Sequence, residues 1–359
     1  MTLTSEPSTS EPSTLSMQTG TPLLEARHLV QEFVVRDRGG VKGGVVHAVS
    51  DVSFEVRAGE TLGVVGETGS GKSTVARSVL AAPKPKSGEV LFKGTDLVKL
   101  KRRDLLELRR EMQMVYQDPY GSLDPKWQVA DIIEEPLVAY KRGNSTERKR
   151  RVGEVMDLVG LDPSVFSSRK PRQLSGGQCQ RVAIARALTL SPELIVCDEA
   201  VSSLDVLIQA QVLNLFEHLR QELQLSYLFI AHDLALVKQV SDRVAVMYLG
   251  QFAEVGPSEK IYLQPFHPYT AALLGSIPSP DPNAAKVSTR GTISGEPPSP
   301  INPPSGCRFR TRCPRAQDRC ATEAPVLREL EPDHAVACHF PLAGESTPVT
   351  ITTNGAPSA

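Results

Sequence analysis

Residues Thr61 to Thr74 read Thr-Leu-Gly-Val-Val-Gly-Glu-Thr-Gly-Ser-Gly-Lys-Ser-Thr, and every other part of the chain has to be arranged around them. The apolar run Leu62 to Val65 predicts a buried strand, a glycine-rich turn follows, and the next segment can start a helix. The spacing Gly66-x-x-x-x-Gly71-Lys72-Ser73 is the phosphate-binding loop pattern. Glycine lets the backbone take positive φ and come close to a ligand. Successive amide N–H groups then form a concave anion site, with the positive end of a helix dipole behind it. On this reading Gly66, Glu67, Thr68, Gly69, Ser70, Gly71, Lys72, Ser73 and Thr74 hold a nucleotide. Lys72 reaches the β- and γ-phosphates, and Ser73 offers its hydroxyl to Mg²⁺.

At 359 residues the chain is long enough for one large or two ordinary domains. Lys and Arg number 40 against 41 Asp and Glu, so no excess of positive charge points to nucleic acid as the main ligand. No run of about 18 apolar residues is present, which excludes a bilayer-spanning helix. The first residues lack a basic start followed by an apolar stretch, so no secretory signal is expected and the cytosol is the expected compartment. In that compartment the six cysteines are expected as thiols or metal ligands.

Residues 1–22 are rich in Ser, Thr, Pro and Glu and are expected to be disordered, as is the tail over 344–359. Strand-like alternation runs over Leu29 to Val35 and Val45 to Val56, and Gly39, Gly40, Gly43 and Gly44 between them predict a loop. Phe33 sits at the entry to that loop, where its ring either stacks on a nucleotide base or belongs to the core. A helix over Val75 to Leu80 is expected to stop at Pro83 and Pro85. Asp104 to Met112 has helical spacing, and Met114 to Gln117 reads as a short strand. From about 118 to 190 the pattern is helical, with a capping box at Asn144 and Glu147 and a packing stripe of Val152, Val155, Met156 and Val159. This stretch closes with Leu174-Ser-Gly-Gly-Gln-Cys-Gln-Arg181 and a helix to Leu190.

Leu194 to Cys197 is apolar and runs into Asp198 and Glu199, which predicts a buried parallel strand with acids at its C-terminal end. Ser202-Ser-Leu-Asp205, a helix over Gln209 to Glu222, and a buried strand over Tyr227 to Ala231 ending at His232 follow. Val244 to Tyr248 and Gln251 to Val255 predict a hairpin about Leu249-Gly250. Strands separated by helices give an α/β fold with a mostly parallel sheet.

Taken in order, the phosphate loop, Gln117, Leu174 to Gln178, Asp198-Glu199, Ser203-Leu-Asp205 and His232 resemble the ATPase subunit of an ABC transporter over roughly residues 23–265. That resemblance implies a P-loop NTPase with an antiparallel β subdomain and a helical subdomain over about 118–190. It implies that ATP and Mg²⁺ are bound, with Ser73, Gln117 and Asp198 approaching the metal. Glu199 would polarise the attacking water, and His232 would contact the γ-phosphate. Ser175, Gly176, Gly177 and Gln178 would dock on the γ-phosphate held by another subunit, and Asp205 would report across that interface. Ala200, Ser203 and Cys179 depart from the common family residues, and none of them removes a charged group from the site.

Gln264 to Thr270 and Gly295 to Pro314 resemble the C-terminal extension of dipeptide and oligopeptide importer ATPases, and the run Ser299 to Cys307 most resembles the second of their two ATPases. This places the extension at 266–343. It implies a heterodimer with a related ATPase, two membrane permeases, an extracytoplasmic peptide-binding protein, and a place at the cytoplasmic face of the membrane. Residues Gln117 to Trp127 would meet a permease. Cys307, Cys313, Cys320 and Cys338 can hold a [4Fe–4S] cluster, which the resemblance favours, or a structural Zn²⁺ with His334 or His339 as alternative ligands. Cys179 and Cys197 read as packing thiols. Other readings are an ATPase of the same subfamily serving nickel or another small solute, a soluble ABC ATPase outside transport, and a partner that binds ATP without hydrolysing it.

Overall fold

The computed structural model describes residues 22–36, 42–277 and 295–342. The tails expected to be disordered lie outside these residues, apart from residue 22.

The chain opens with β1 (Leu24–Arg36) and β2 (Lys42–Val56), a long antiparallel pair. Gly43 and Gly44, expected in a loop, lie inside β2, where Gly44 pairs with Val35. Cross-strand pairing overrides the local glycine signal here. Then come β3 (Thr61–Val65), α1 (Lys72–Val79), β4 (Ser87–Phe92) and β5 (Thr95–Asp96). Strand β1 pairs β4 on its other edge, and β5 completes a four-stranded sheet in the order β2-β1-β4-β5.

Helix α2 (Arg102–Arg109) is shorter than its spacing suggested, because Met112 already belongs to β6 (Met112–Val115). Gln117 therefore stands beyond the end of a strand. The predicted helical stretch forms α3 (Pro119–Ser122), α4 (Val129–Ala139), α5 (Ser145–Leu158), α6 (Pro163–Phe166) and α7 (Gly176–Leu188). The capping box holds: Asn144 Oδ1 accepts from the N–H groups of Thr146 and Glu147, and Glu147 Oε2 accepts from the Asn144 N–H. Val155, Met156 and Val159 of the stripe are wholly buried.

Strand β7 (Leu194–Asp198) leads to α8 (Val206–Leu223), β8 (Ser226–Ala231), α9 (Leu234–Val240), β9 (Arg243–Tyr248) and β10 (Gln251–Pro257). Leu249 and Gly250, both at positive φ, join the last two as the expected hairpin. Helices α10 (Ser258–Leu263), α11 (Pro268–Gly275) and α12 (Asp318–Thr322) and strands β11 (Arg328–Glu331) and β12 (His334–Val336) complete the described chain.

The main sheet runs β11-β12-β10-β9-β3-β8-β7-β6. Its centre, from β9 to β6, is parallel, and the other strands pair antiparallel. Every residue of β3, β7 and β8 is buried, as their unbroken apolar runs require of a sheet covered on both faces. The sheet also continues across the expected boundary at 265/266, because β12 hydrogen-bonds to β10. Glu254 on β10 is wholly buried and takes the N–H groups of Phe266 and His267 at 2.6 and 2.9 Å, with His334 Nε2 at 2.7 Å. One buried carboxylate thus ties the late segment to the core.

Candidate active site

The C-terminal ends of β3, β7 and β8 lie side by side, and the loops leaving them carry the chemistry. After β3 the chain turns tightly under α1. Gly71, at the start of α1, has φ 106°, and a Cβ there would come within 2.1 Å of the Ala48 carbonyl oxygen. A Cβ on Gly66 would come equally close to the Met247 carbonyl oxygen. Both positions need glycine so that the loop can wrap against β2 and β9. Lys72 is buried, and its ammonium donates to the carbonyls of Gly66 and Glu67 at 2.8 and 3.0 Å. Burial lowers its pKa, while Glu199, Asp198 and Glu67 oppose that shift. Ser70 Oγ is buried and has no hydrogen-bond partner.

Ser73 Oγ donates to Asp198 Oδ1 at 2.7 Å. Burial raises the Asp198 pKa, with the Ser73 hydrogen bond and Arg77 pulling it back. A cation beside these two hard oxygens would offset that desolvation, so the pair fits Mg²⁺. Asp198 ends β7, and Glu199 follows at φ 50°, a costly conformation for a residue with a Cβ. Its N–H is fixed by the Ile230 carbonyl at 2.9 Å. Gln117 Nε2 donates to Glu199 Oε2 at 3.0 Å, and His232 Nδ1 lies 3.5 Å from the same oxygen. Ser203 Oγ donates to the Gln117 carbonyl at 3.3 Å. Lys72, Ser73, Gln117, Asp198, Glu199 and His232 therefore converge, although they come from distant parts of the sequence.

The second group of expected residues lies apart. Ser175 caps α7 through Gln178 N–H at 3.3 Å, and Gln178 returns a bond to the Ser175 N–H at 3.0 Å. Asp205 caps α8 through Ile208 N–H at 3.1 Å. The two caps are neighbours: a Cβ on Gly177 would meet Ile208, and one on Gly176 would meet Leu204. Among the described residues no hydrogen bond joins this pair of turns to the phosphate loop. Ser175 and Asp205 are exposed, and so are Val206 and Leu207 beside them. Phe33 is 41 % exposed on β1, which rules out the core-aromatic reading of its ring.

Cys307, Cys313, Cys320 and Cys338 line one cavity together with His339. None is in a disulfide. His334 is not one of the lining residues. Its Nε2 is bonded to Glu254 and its ring stacks on Phe266. Among the described residues no group of three or more His, Cys, Asp or Glu side chains is placed to hold a metal ion. Cys179 and Cys197 are wholly buried packing thiols, as expected. Two side chains that sequence reading left without a role also meet the phosphate loop. The Tyr269 hydroxyl accepts the Glu67 N–H at 3.0 Å, and Arg312 pairs with the Glu67 carboxylate. Both stand in the motifs at Gln264 to Thr270 and Gly295 to Pro314, but nothing local marks them as neighbours of a loop so far back in the chain.

Two family models match the chain: "ABC transporter" over residues 49–202 and "Oligopeptide/dipeptide transporter, C-terminal region" over 253–320. The chain is 49 % identical to the putative oligopeptide transport ATP-binding protein YkfD of Bacillus subtilis, over 89 % of its own length and 95 % of the relative's. It is 48 % identical to the oligopeptide transport ATP-binding protein AppF of the same organism, covering 89 % and 97 %. Its fold is similar to the dimeric post-hydrolysis structure of the ATP-binding cassette MJ0796 bound to ADP and Pi. There the TM-score is 0.58 at 27 % identity, covering 66 % of this chain and 98 % of the other. It is also similar to cbiO1 from Clostridium perfringens, part of the transporter complex cbiONQ, with a TM-score of 0.59 at 25 % identity, covering 68 % and 91 %.

Proposed function

The chain belongs to the family of ABC-type oligopeptide and dipeptide transport ATP-binding proteins, and we propose that it hydrolyses ATP to power peptide uptake through separate membrane permeases. One observation carries the chemistry: Gln117 and His232 both approach Glu199 Oε2, beside a phosphate loop whose Ser73 is bonded to Asp198. The loop amides and Lys72 bind the phosphates, and the Lys72 ammonium leaves its two carbonyls to do so. Ser73, Asp198 and Gln117 would hold Mg²⁺, which when bound would supply positive charge against the phosphates. Glu199 orients and polarises the attacking water, and Gln117 and His232 fix the carboxylate and the γ-phosphate around it.

The site in one chain is half of a whole. The Ser175 turn and Asp205 are exposed, and α7 begins at that turn with its N–H groups and dipole available to an anion. Their reading as the lid over a second cassette's ATP rests on this exposure and on their separation from the chain's own phosphate loop. The second cassette is a related ATPase, and the pair sits under two permeases at the cytoplasmic face, supplied by an extracytoplasmic peptide-binding protein. Support for this arrangement comes from the C-terminal region match and from the absence, among the described residues, of any helix long and apolar enough to cross a membrane.

The four cysteines are assigned a structural [4Fe–4S] cluster. The support for this assignment is that all four thiols line one cavity and none is in a disulfide. Anaerobically purified protein should contain iron and absorb visible light, and protein lacking both would remove the cluster.

The test of function is the transporter purified with its permeases. Peptide-stimulated ATP hydrolysis should fall by about two to four orders of magnitude in Glu199→Gln, as expected for loss of the group acting on the attacking water. Unaltered hydrolysis would remove Glu199 from that role.

A further inference from the structure

Glu67 places a carboxylate in a loop that has to accept the negative charge of a triphosphate. An uncompensated carboxylate there would repel the ligand, and water would screen the repulsion poorly because the Glu67 side chain is only 22 % exposed. Its partner comes from the cysteine-rich segment, 245 residues away. Arg312 Nη1 donates to Oε2 at 2.8 Å and Nη2 to Oε1 at 3.1 Å, so the pair is bidentate. The Arg312 side chain is 7 % exposed. Its guanidinium lies 5.8 Å from the centre of the Tyr248 ring, and Nη1 also donates to the Tyr248 hydroxyl at 3.3 Å. The backbone of Glu67 is held as well, by Tyr269 on its N–H and Lys72 on its carbonyl.

The same segment touches the loop's surroundings at other points. Arg308 donates to the Leu249 carbonyl, and the next residue, Gly250, donates its N–H to the Ser70 carbonyl at 2.7 Å. The Pro300 carbonyl accepts the His47 N–H of β2 at 3.0 Å. The cysteine-rich segment thus braces the nucleotide loop from behind.

We propose that Arg312 is a positioning residue of the ATP site: it neutralises Glu67 and holds the phosphate loop in its binding conformation. The inference rests on reading this loop as the ATP site. It goes beyond that reading by making ATP affinity depend on a residue of the C-terminal segment that touches no nucleotide. The electrostatic part has a signature that packing alone would not give. Removing the cation should weaken binding, and removing the carboxylate as well should restore it.

ATP binding is measured on the full-length chain by displacement of a fluorescent ATP analogue, with Lys72→Ala as the control for the site. Arg312→Ala should raise the Kd for ATP about tenfold, the size expected for one uncompensated, partly buried charge. Arg312→Gln should weaken binding in the same sense. Glu67→Gln, which removes the repelling carboxylate and leaves the Arg312 cation unopposed beside the loop, should bind ATP more tightly than the parent. The double variant Glu67→Gln/Arg312→Ala should return to within about twofold of it, because the repelling charge has gone. Arg312 variants that bind like the parent, a double variant as weak as Arg312→Ala, or a Glu67→Gln variant no tighter than the parent would each overturn the proposal. Should neither Arg312 variant fold, Glu67→Gln alone still decides the matter. A parent chain that binds no ATP would instead bring down the functional reading on which the inference stands.

Discussion

Glu199 shows how much of this chain could be read from residue type and order. An acid after an apolar strand places a carboxylate at the carboxyl edge of a parallel sheet, and the structure adds Gln117 and His232 on one of its oxygens. Lys72, Ser73 and Asp198 were equally legible, because the loop spacing fixes the first two and the strand fixes the third. The cysteines divide by environment. Burial pushes the Cys179 thiol up to about 11, and it drives Cys197 upward as well. A thiol alkylates as the thiolate, so native protein at neutral pH should leave both unmodified by iodoacetamide, while denatured protein should label them fully. Native labelling of either would contradict their place in the core. Arg312 was not legible in the same way. A surface-type residue in a Pro- and Cys-rich segment gives no local signal of a partner so far back, and only the fold brings the two together.

The start of α5 was read well because capping is local chemistry, whereas α8 begins at Val206, three residues before the expected Gln209. The Asn144 box on α5 and the Ser175 box on α7 are built alike, but they stand in different places. Asn144 is remote from the converging acids, so Asn144→Ala should cost about 1 kcal/mol of stability and leave hydrolysis intact. Ser175→Ala should cost a similar amount of stability and also depress hydrolysis in the assembled transporter, because the proposed function puts this turn over the partner cassette's nucleotide. Thermal melts and ATPase rates on both variants check this, and equal effects on activity would contradict it. One element was misjudged for a physical reason. Gly43 and Gly44 signal a loop locally, yet the long pairing of β1 with β2 absorbs them. His334 is not among the residues lining the cysteine cavity, and its Nε2 is bonded to the buried Glu254 carboxylate. Glu254→Gln leaves His334 and two backbone donors with a weaker acceptor. It should destabilise the segment from α11 onward by about 1–3 kcal/mol, read as faster proteolysis there than in the parent.

The molecule as a whole combines a nucleotide half-site with a late segment that extends the main sheet and presses on the phosphate loop. The alternation of strands and helices made the parallel centre legible and the Leu249-Gly250 turn announced β10, whereas the further antiparallel extension by β12 and β11 depends on a few short pairings that no periodicity announces. Among the described residues the exposed Ser175 turn and Asp205 make no hydrogen bond to the chain's own loop, and the proposed function has a second cassette close the site. Sedimentation velocity of Glu199→Gln, alone and mixed with the related cassette of its transporter, tests that closure directly. With ATP and Mg²⁺ the protein should sediment as a two-cassette species, with ADP as single chains, and Ser175→Arg should abolish the ATP effect. Identical sedimentation with ATP and ADP in both settings would contradict the account.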